Sequence, residues 1–426
     1  MYLPSYAPPK HKIAWKRIFV MITLILGISV GHYLYQDYNT QISQDSYGIC
    51  GWNNIDTRKN IENPIYTYEV KDYLFYGETL NLYSEEYQLN VDDYFYGKSL
   101  TLVDICSGEK SVYIMDRTID GQIPLEVLEE GTYAIYLNQD VDMYQLYFSK
   151  EMSDTIYTVT RNGENYRIYL FADENRFNDE DEDPFLEENF LYIEVSKEEL
   201  PEDTYDVIID AGHSSMDSGW SVDYGYESNG LIESEETYSL AILLKEDLEA
   251  LGLKVLLTRN EISDVIDSYD LDGRLYLGYM ANAKYYFDIQ GNGSVGTYYG
   301  GTQVIYSSFS SNNLASTIYQ TIVNNTSLYA SNSYSSTGPV ASGLSDGYDG
   351  RMMIRESGGR ILGAGTFSEA SATNAFFNKE SRFGMQAITI EYFYLTNPID
   401  VEIWNNEIES IAQATADGFA RYLGID

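Results

Sequence analysis

The spacing of apolar positions changes character along the chain, and each change predicts a different kind of structure. The first run, Ile18 to about Leu34, is predominantly apolar and follows Lys10, Lys12, Lys16 and Arg17. Its length is near the lower limit for spanning a bilayer. Basic residues before it and acidic residues after it place the N-terminus in the cytoplasm and the rest outside. No small-x-small cleavage site follows Val30, so the pattern predicts a retained single-pass membrane anchor over 18–35. A basic tail, 1–17, precedes it and a polar linker, 36–62, follows.

From about residue 63 to 196 the period becomes two. Ile65-Tyr-Thr-Tyr-Glu-Val, Ser99-Leu-Thr-Leu-Val, Thr132-Tyr-Ala-Ile-Tyr-Leu and Tyr166-Arg-Ile-Tyr-Leu-Phe alternate, and turn formers such as Arg161-Asn-Gly-Glu-Asn separate them. Short strands at this spacing predict a β-sandwich-like extracytoplasmic domain. The acidic stretch Asn178-Asp-Glu-Asp-Glu-Asp-Pro is a solvated loop. A calcium-loop match would need Gly at Pro184 and Glu at Phe190.

From Tyr205 to the end apolar strands alternate with amphipathic helices. Val207–Asp210, 254–258, Tyr285–Gln290, Gln303–Tyr306 and 387–391 read as strands. Between the first two lies a helix from Glu235 to about Leu251, with Leu240, Leu244, Leu248 and Leu251 on one stripe. A further helix is expected over 313–324. A closing helix carries Ile408, Ile411, Ala412, Thr415, Phe419 and Tyr422 at helical spacing. The alternation predicts an α/β domain, 205–426, with a mostly parallel sheet flanked by helices on both faces. Ligands gather at the carboxyl ends of such strands, where His213, Gln290 and Glu391 fall. The segment Ser307–Gly350, rich in Ser, Asn, Tyr and Gly, is a candidate lid over that edge.

Composition narrows the partners. The net charge is −40, and no acidic residue precedes Asp37, so the exported part is more acidic still. Such a surface repels nucleic acid. Two cysteines, Cys50 and Cys106, lie outside the membrane by this topology, where a bridge between them and two free thiols are both open. Three histidines are present, and His11 and His32 belong to the anchor region, which leaves His213 alone for the exterior.

The order of motifs from Asp206 onward resembles the zinc-dependent N-acetylmuramoyl-L-alanine amidases, which cut the sugar–peptide amide of bacterial cell walls. Asp210-Ala-Gly-His-Ser-Ser-Met-Asp-Ser-Gly219, Leu231-Ile-Glu-Ser-Glu-Glu-Thr-Tyr-Ser-Leu-Ala-Ile242, Leu256-Leu-Thr-Arg-Asn260, Arg274 with Ala281-Asn282, Gly301-Thr-Gln-Val-Ile-Tyr306 and Ile390-Glu-Tyr-Phe-Tyr-Leu-Thr-Asn-Pro398 carry it. The resemblance implies His213 as a zinc ligand and Glu235 as the carboxylate ligand, with Glu233 and Glu236 as close competitors, because a one-residue register error changes which carboxylate faces inward. It implies Glu391 as the general base. Where the family has a second ligand histidine this chain has Gln290, in Phe287-Asp-Ile-Gln-Gly-Asn-Gly. An amide oxygen is a harder, weaker donor than an imidazole nitrogen, so Zn2+ binding is expected to be weakened. Asp288, two residues back, shares a strand face with Gln290.

Three functions follow as expectations. The leading one is a membrane-anchored peptidoglycan hydrolase of the MurNAc–L-alanine amide, its activity dependent on abundant metal or on an activating protein partner that completes the site. The second is a degenerate amidase fold that binds or regulates at the wall. The third is a tethered adhesion or scaffold protein working through its β-domain.

Overall fold

The computed structural model describes residues 66–76, 79–85, 94–105, 107–115, 123–148, 155–173, 189–198, 204–216, 219–269, 272–308, 310–334, 337–345, 348–357 and 385–425. The expected anchor, Cys50, Cys106 and the acidic stretch 178–184 lie outside these residues. Among the described residues no helix is long and apolar enough to cross a membrane.

The first half is built from alternating runs, as their period requires. They are β1 (Tyr66–Val70), β2 (Asp72–Tyr76), β3 (Thr79–Tyr83), β4 (Ser99–Asp104), β5 (Lys110–Ile114), β6 (Ile123–Pro124), β7 (Gly131–Gln139), β8 (Asp142–Phe148), β9 (Thr155–Arg161), β10 (Glu164–Asp173) and β11 (Asn189–Lys197). One eight-stranded sheet runs β5-β4-β7-β8-β11-β10-β9, with β1 added in parallel to β8. A three-stranded sheet, β2-β3-β6, contributes Tyr73, Leu80, Leu82 and Ile123 to the same core as Leu102, Ile135, Leu146 and Ile193 of the large sheet. The expectation of a sandwich is therefore corrected to a curled, mainly antiparallel sheet with a small one against it. The curl has a local cause. One edge of β7 pairs β8 along Tyr136–Gln139 and β11 along Gly131–Ala134, so the sheet turns back on itself. Alternation along a strand fixes its faces but not its neighbours, so the sequence does not show this.

The second half contains β12 (Val207–Ala211), β13 (Glu227–Ser228), β14 (Leu231–Ile232), α1 (Glu233–Ala250), β15 (Val255–Leu257), α2 (Arg274–Met280), β16 (Tyr285–Asn292), β17 (Gln303–Tyr306), α3 (Asn313–Asn325), β18 (Val340–Ala341), β19 (Leu344–Ser345), β20 (Tyr348–Asp349), α4 (Met352–Ser357), β21 (Gln386–Tyr394) and α5 (Pro398–Leu423). The six-stranded sheet runs β15-β12-β16-β21-β17-β18. Its first four strands are parallel, as expected, and β17 is antiparallel to β21. The short connection 293–302 holds no helix, and a parallel return would need a crossover.

Helices cover both faces. Val207 and Ile209 pack with Leu240, Leu244, Ile318, Trp404 and Phe419 of α1, α3 and α5. Ile208, Tyr286 and Ala387 face the other way, onto Leu275 and Tyr279 of α2 and Met353 of α4. Continuous burial on both faces explains why these strands read as unbroken apolar runs. The register sets Gln290 beside Glu391, and Glu391 beside Gln303, at the carboxyl edge of β16 and β21.

Candidate active site

His213 lies two residues beyond the end of β12. It and Ser214 adopt left-handed backbone, φ 62° and 55°, which side-chain-bearing residues seldom occupy. The surrounding structure holds them there. Arg274 donates to the carbonyls of Ala211 (3.2 Å) and His213. Ser214 N donates to Asp223 O at 2.6 Å, and Ser214 Oγ to Asp264 O at 2.6 Å. Arg274 is itself fixed on buried Asp210 (3.2 Å), whose oxygens also accept from Thr258 (2.8 Å) and Tyr286 (2.7 Å).

The imidazole is gripped from two sides. Nδ1 lies 3.0 Å from Asp223 Oδ2, and Nε2 lies 3.0 Å from Glu233 Oε1. Burial alone would lower the imidazole's pKa, but the hydrogen bond and charge of Glu233, then of Asp223, overturn that. The ring is pushed up to about 9. Glu233 is almost fully buried and its second oxygen accepts from Tyr226 N at 2.9 Å.

Of the three glutamates at the start of α1, the fold selects Glu233. Glu235 is exposed, and Glu236 accepts from Trp404 Nε1 at 2.7 Å, which ties α1 to α5. Glu233, and not the expected Glu235, is the carboxylate that meets the His213 ring. Helix α1 begins two residues earlier than its apolar stripe suggests, and its N-cap Ile232 offers no side-chain signal. The sequence also gave no sign of Asp223, whose place on His213 depends on a turn through Gly225 at φ 74°. A Cβ at Gly225 would come 2.5 Å from Glu233 Oε2 and 2.7 Å from His213 Cδ2.

Gln290 reaches the same space from the neighbouring strand. Its amide packs over Gly212, where a Cβ would stand 2.5 Å from its Oε1. A Cβ on the next residue, Gly291, would stand 3.3 Å from Glu233 Oε1. The amide nitrogen donates to Asp288 Oδ1 at 2.6 Å, and Asp288 Oδ2 accepts from Thr389 at 2.7 Å. Burial pushes the Asp288 carboxyl up. With its nitrogen spent on Asp288, the amide of Gln290 has its carbonyl oxygen left as a donor atom.

Glu391 is largely buried. Oε2 accepts from Asn292 Nδ2 (2.7 Å) and Tyr334 OH (2.9 Å), and Oε1 pairs with Arg351. None of these three partners was marked by the sequence.

Among the described residues no group of three His, Cys, Asp or Glu side chains forms a metal site. The donors present are one imidazole, one carboxylate and one amide oxygen, with a carboxylate behind the imidazole. A carboxylate on the far ring nitrogen is the usual support of a metal-binding histidine. Gly212, Gly225 and Gly291 leave room against the backbone for the side chains of Gln290, His213 and Glu233. The set fits a divalent cation held by two strong donors and one weak one.

The site is a histidine–carboxylate pair and a second buried glutamate at the carboxyl edge of a mostly parallel α/β sheet. The chain belongs to the N-acetylmuramoyl-L-alanine amidase family, whose model matches residues 207–421, half of its length. That family acts on peptidoglycan. Solved structures similar to it include Cwp6 from Clostridium difficile, 16% identical over 51% of this chain and 29% of that one (TM-score 0.38). The catalytic domain of CwlV, an N-acetylmuramoyl-L-alanine amidase from Bacillus (Paenibacillus) polymyxa var. colistinus, is 20% identical over 52% of this chain and 100% of that one (TM-score 0.36). CwlD amidase from Clostridioides difficile, in complex with the GerS lipoprotein, is 19% identical over 52% of this chain and 100% of that one (TM-score 0.37). The chain thus spans under a third of Cwp6, and at these TM-scores the family assignment rests on the sequence match. No curated protein matches the chain.

Proposed function

We propose that this chain is a membrane-anchored hydrolase of the amide between N-acetylmuramic acid and L-alanine in peptidoglycan, working outside the cell with a weakly held Zn2+. The convergence of His213 Nε2 on Glu233 Oε1, with Asp223 behind the ring, carries the reading. The basic tail and apolar run over 1–35 support the anchor.

His213, Glu233 and the Gln290 carbonyl oxygen would hold the cation. When bound, it supplies positive charge that polarises the scissile carbonyl and acidifies a water. Asp223 fixes the ring so that Nε2 presents its lone pair inward. Asp288 keeps the Gln290 amide turned the same way. Glu391 takes a proton from the attacking water at a carboxylate oxygen and returns it to the leaving nitrogen. Asn292 and Tyr334 hold that carboxylate in place, and burial keeps the Tyr334 hydroxyl protonated by raising its pKa.

A second reading is a wall-binding domain without turnover. The Arg351–Glu391 pair and the amide at position 290 favour it. Metal content of the purified full-length chain, with stem-peptide release from sacculi, separates the two. The hydrolase requires release that disappears in Glu391→Gln and rises, together with zinc content, in Gln290→His. Sacculus binding without release in either wild type or Gln290→His would leave only the binding role.

A further inference from the structure

Arg351 is a half-exposed cation on Glu391 that, among the described residues, has hydrogen-bonding capacity to spare. Its backbone is pinned at the start of α4. Arg351 N donates to Ser342 Oγ at 2.7 Å. Two residues earlier, Asp349 accepts from Ser307 Oγ at 2.6 Å and Ser308 N at 2.7 Å. This anchoring delivers the guanidinium to Glu391 Oε1 through a single nitrogen, NH2. Arg351 Nε is buried and has no acceptor among the described residues. The two partners differ in exposure: the Glu391 side chain is 7% exposed and that of Arg351 37%. The carboxylate is therefore inside the cleft and the guanidinium at its mouth.

The pair as it stands leaves no carboxylate oxygen of Glu391 unengaged: Oε1 is on Arg351, and Oε2 accepts from Asn292 and Tyr334. Glu391 does not need Arg351 to stay in position, because Asn292 and Tyr334 both donate to its other oxygen. Asp223 and Glu233 are engaged on the His213 ring, and the whole chain carries −40. Among the described residues at Glu391, the half-exposed guanidinium of Arg351 is a cation open to an incoming anion. Its planar fork takes a carboxylate through two nitrogens, whereas Glu391 engages one.

We propose that Arg351 is a specificity residue that exchanges Glu391 for a carboxylate of the incoming stem peptide. Anionic stem peptides then both bind and release the base, while amidated ones leave it paired. The proposal rests on the amidase reading of the site. No covalent bond changes in the exchange; one ion pair replaces another.

The test is calorimetric titration of the full-length chain with two muramoyl dipeptides that differ only in whether the second residue's carboxylate is free or amidated. A charge-assisted bidentate contact should favour the free acid about ten-fold or more in wild type. Arg351→Gln should bring that ratio to about one without changing affinity for the amide. Arg351→Lys, which keeps the charge and loses the fork, should fall between. Glu391→Gln should tighten the acid by removing its competitor. If Arg351→Gln does not fold, the wild-type ratio and Glu391→Gln still decide. Equal affinities in wild type, or a preference that survives in Arg351→Gln, would overturn the proposal. The expected ratio without cleavage of either ligand would instead sink the hydrolase reading and leave Arg351 as the carboxylate contact. Where cleavage is seen, Arg351→Gln should raise KM for the acid and raise kcat for the amide.

Discussion

At the scale of residues, the proposed chemistry depends on His213 holding one orientation between two carboxylates. Asp223 is more than half exposed while Glu233 is buried, so the two act differently. Glu233 supplies the larger electrostatic pull, and Asp223 chiefly steers the ring. Asp223→Asn should therefore lower metal affinity by about 10–100-fold, the usual cost of losing such a support. It should also bring the His213 pKa down from about 9. Both are measurable, by zinc competition and by imidazole NMR titration of the metal-free protein. The sign of the pH effect follows from the raised value. A histidine whose folded pKa exceeds its unfolded one stabilises fully below about 6.5 and loses that contribution as pH rises through about 9. The metal-free wild type should lose thermal stability between these limits, and Asp223→Asn should lose less. A flat profile in wild type would show that the ring is not paired as described.

At the scale of elements, strands were more legible than helix starts. The segments now seen as β12 and β21 read as strands because they are buried on both faces, and so lack polar interruptions. That burial also placed His213, Gln290 and Glu391 at one edge without any knowledge of pairing. The glutamate that meets His213 was not legible because Glu233, Glu235 and Glu236 all lie in the first turn of α1, where each is favourable on electrostatic grounds. Only the helix's rotation against β12 distinguishes them, and packing sets that rotation. Arg351 and Tyr334 were illegible for another reason. They come from β-turn and loop segments whose path depends on β18 pairing with β17. The close approach of β12 to β16 is itself testable. Gly212→Ala would drive a Cβ to 2.4 Å from Gln290 Nε2. The amide must leave Asp288 or the strands must part, at a cost of roughly 1–3 kcal/mol. Gln290→Ala removes the obstacle, so the double variant should recover most of the loss in denaturant midpoint. Additive losses would place the strain elsewhere.

At the scale of the whole molecule, the β-rich half and the α/β half have separate cores but share one buried cation. Residues 60–426 form one compact unit. Lys284, just before β16, places its ammonium 2.6 Å from Asp206 Oδ1 and donates to Thr160 Oγ1 (2.8 Å) and Asn165 Oδ1 (2.9 Å) of the β9–β10 hairpin. Its side chain is only 4% exposed. Burial pulls the ammonium's pKa down, and Asp206 works against that. The same hairpin meets the C-terminus, where a Cβ at Gly163 would stand 3.3 Å from Ile425 Cγ2. Lys284→Met keeps the apolar stem and removes the charge. Asp206 then loses its cation and keeps the Lys254 N–H, at 2.7 Å, while Thr160 and Asn165 retain their mutual bond at 3.0 Å. The broken ion pair lies inside the α/β half, at the starts of β12 and β16, and with Asp206 22% exposed its loss costs less than the ~3–5 kcal/mol of a fully buried pair. The two hydrogen bonds to Thr160 and Asn165 are lost from the junction. Calorimetry of the full-length chain should therefore show one unfolding transition in wild type and two in Lys284→Met, with the α/β transition at a lower midpoint. A single transition shifted as a whole would mean that the two halves are coupled through other contacts.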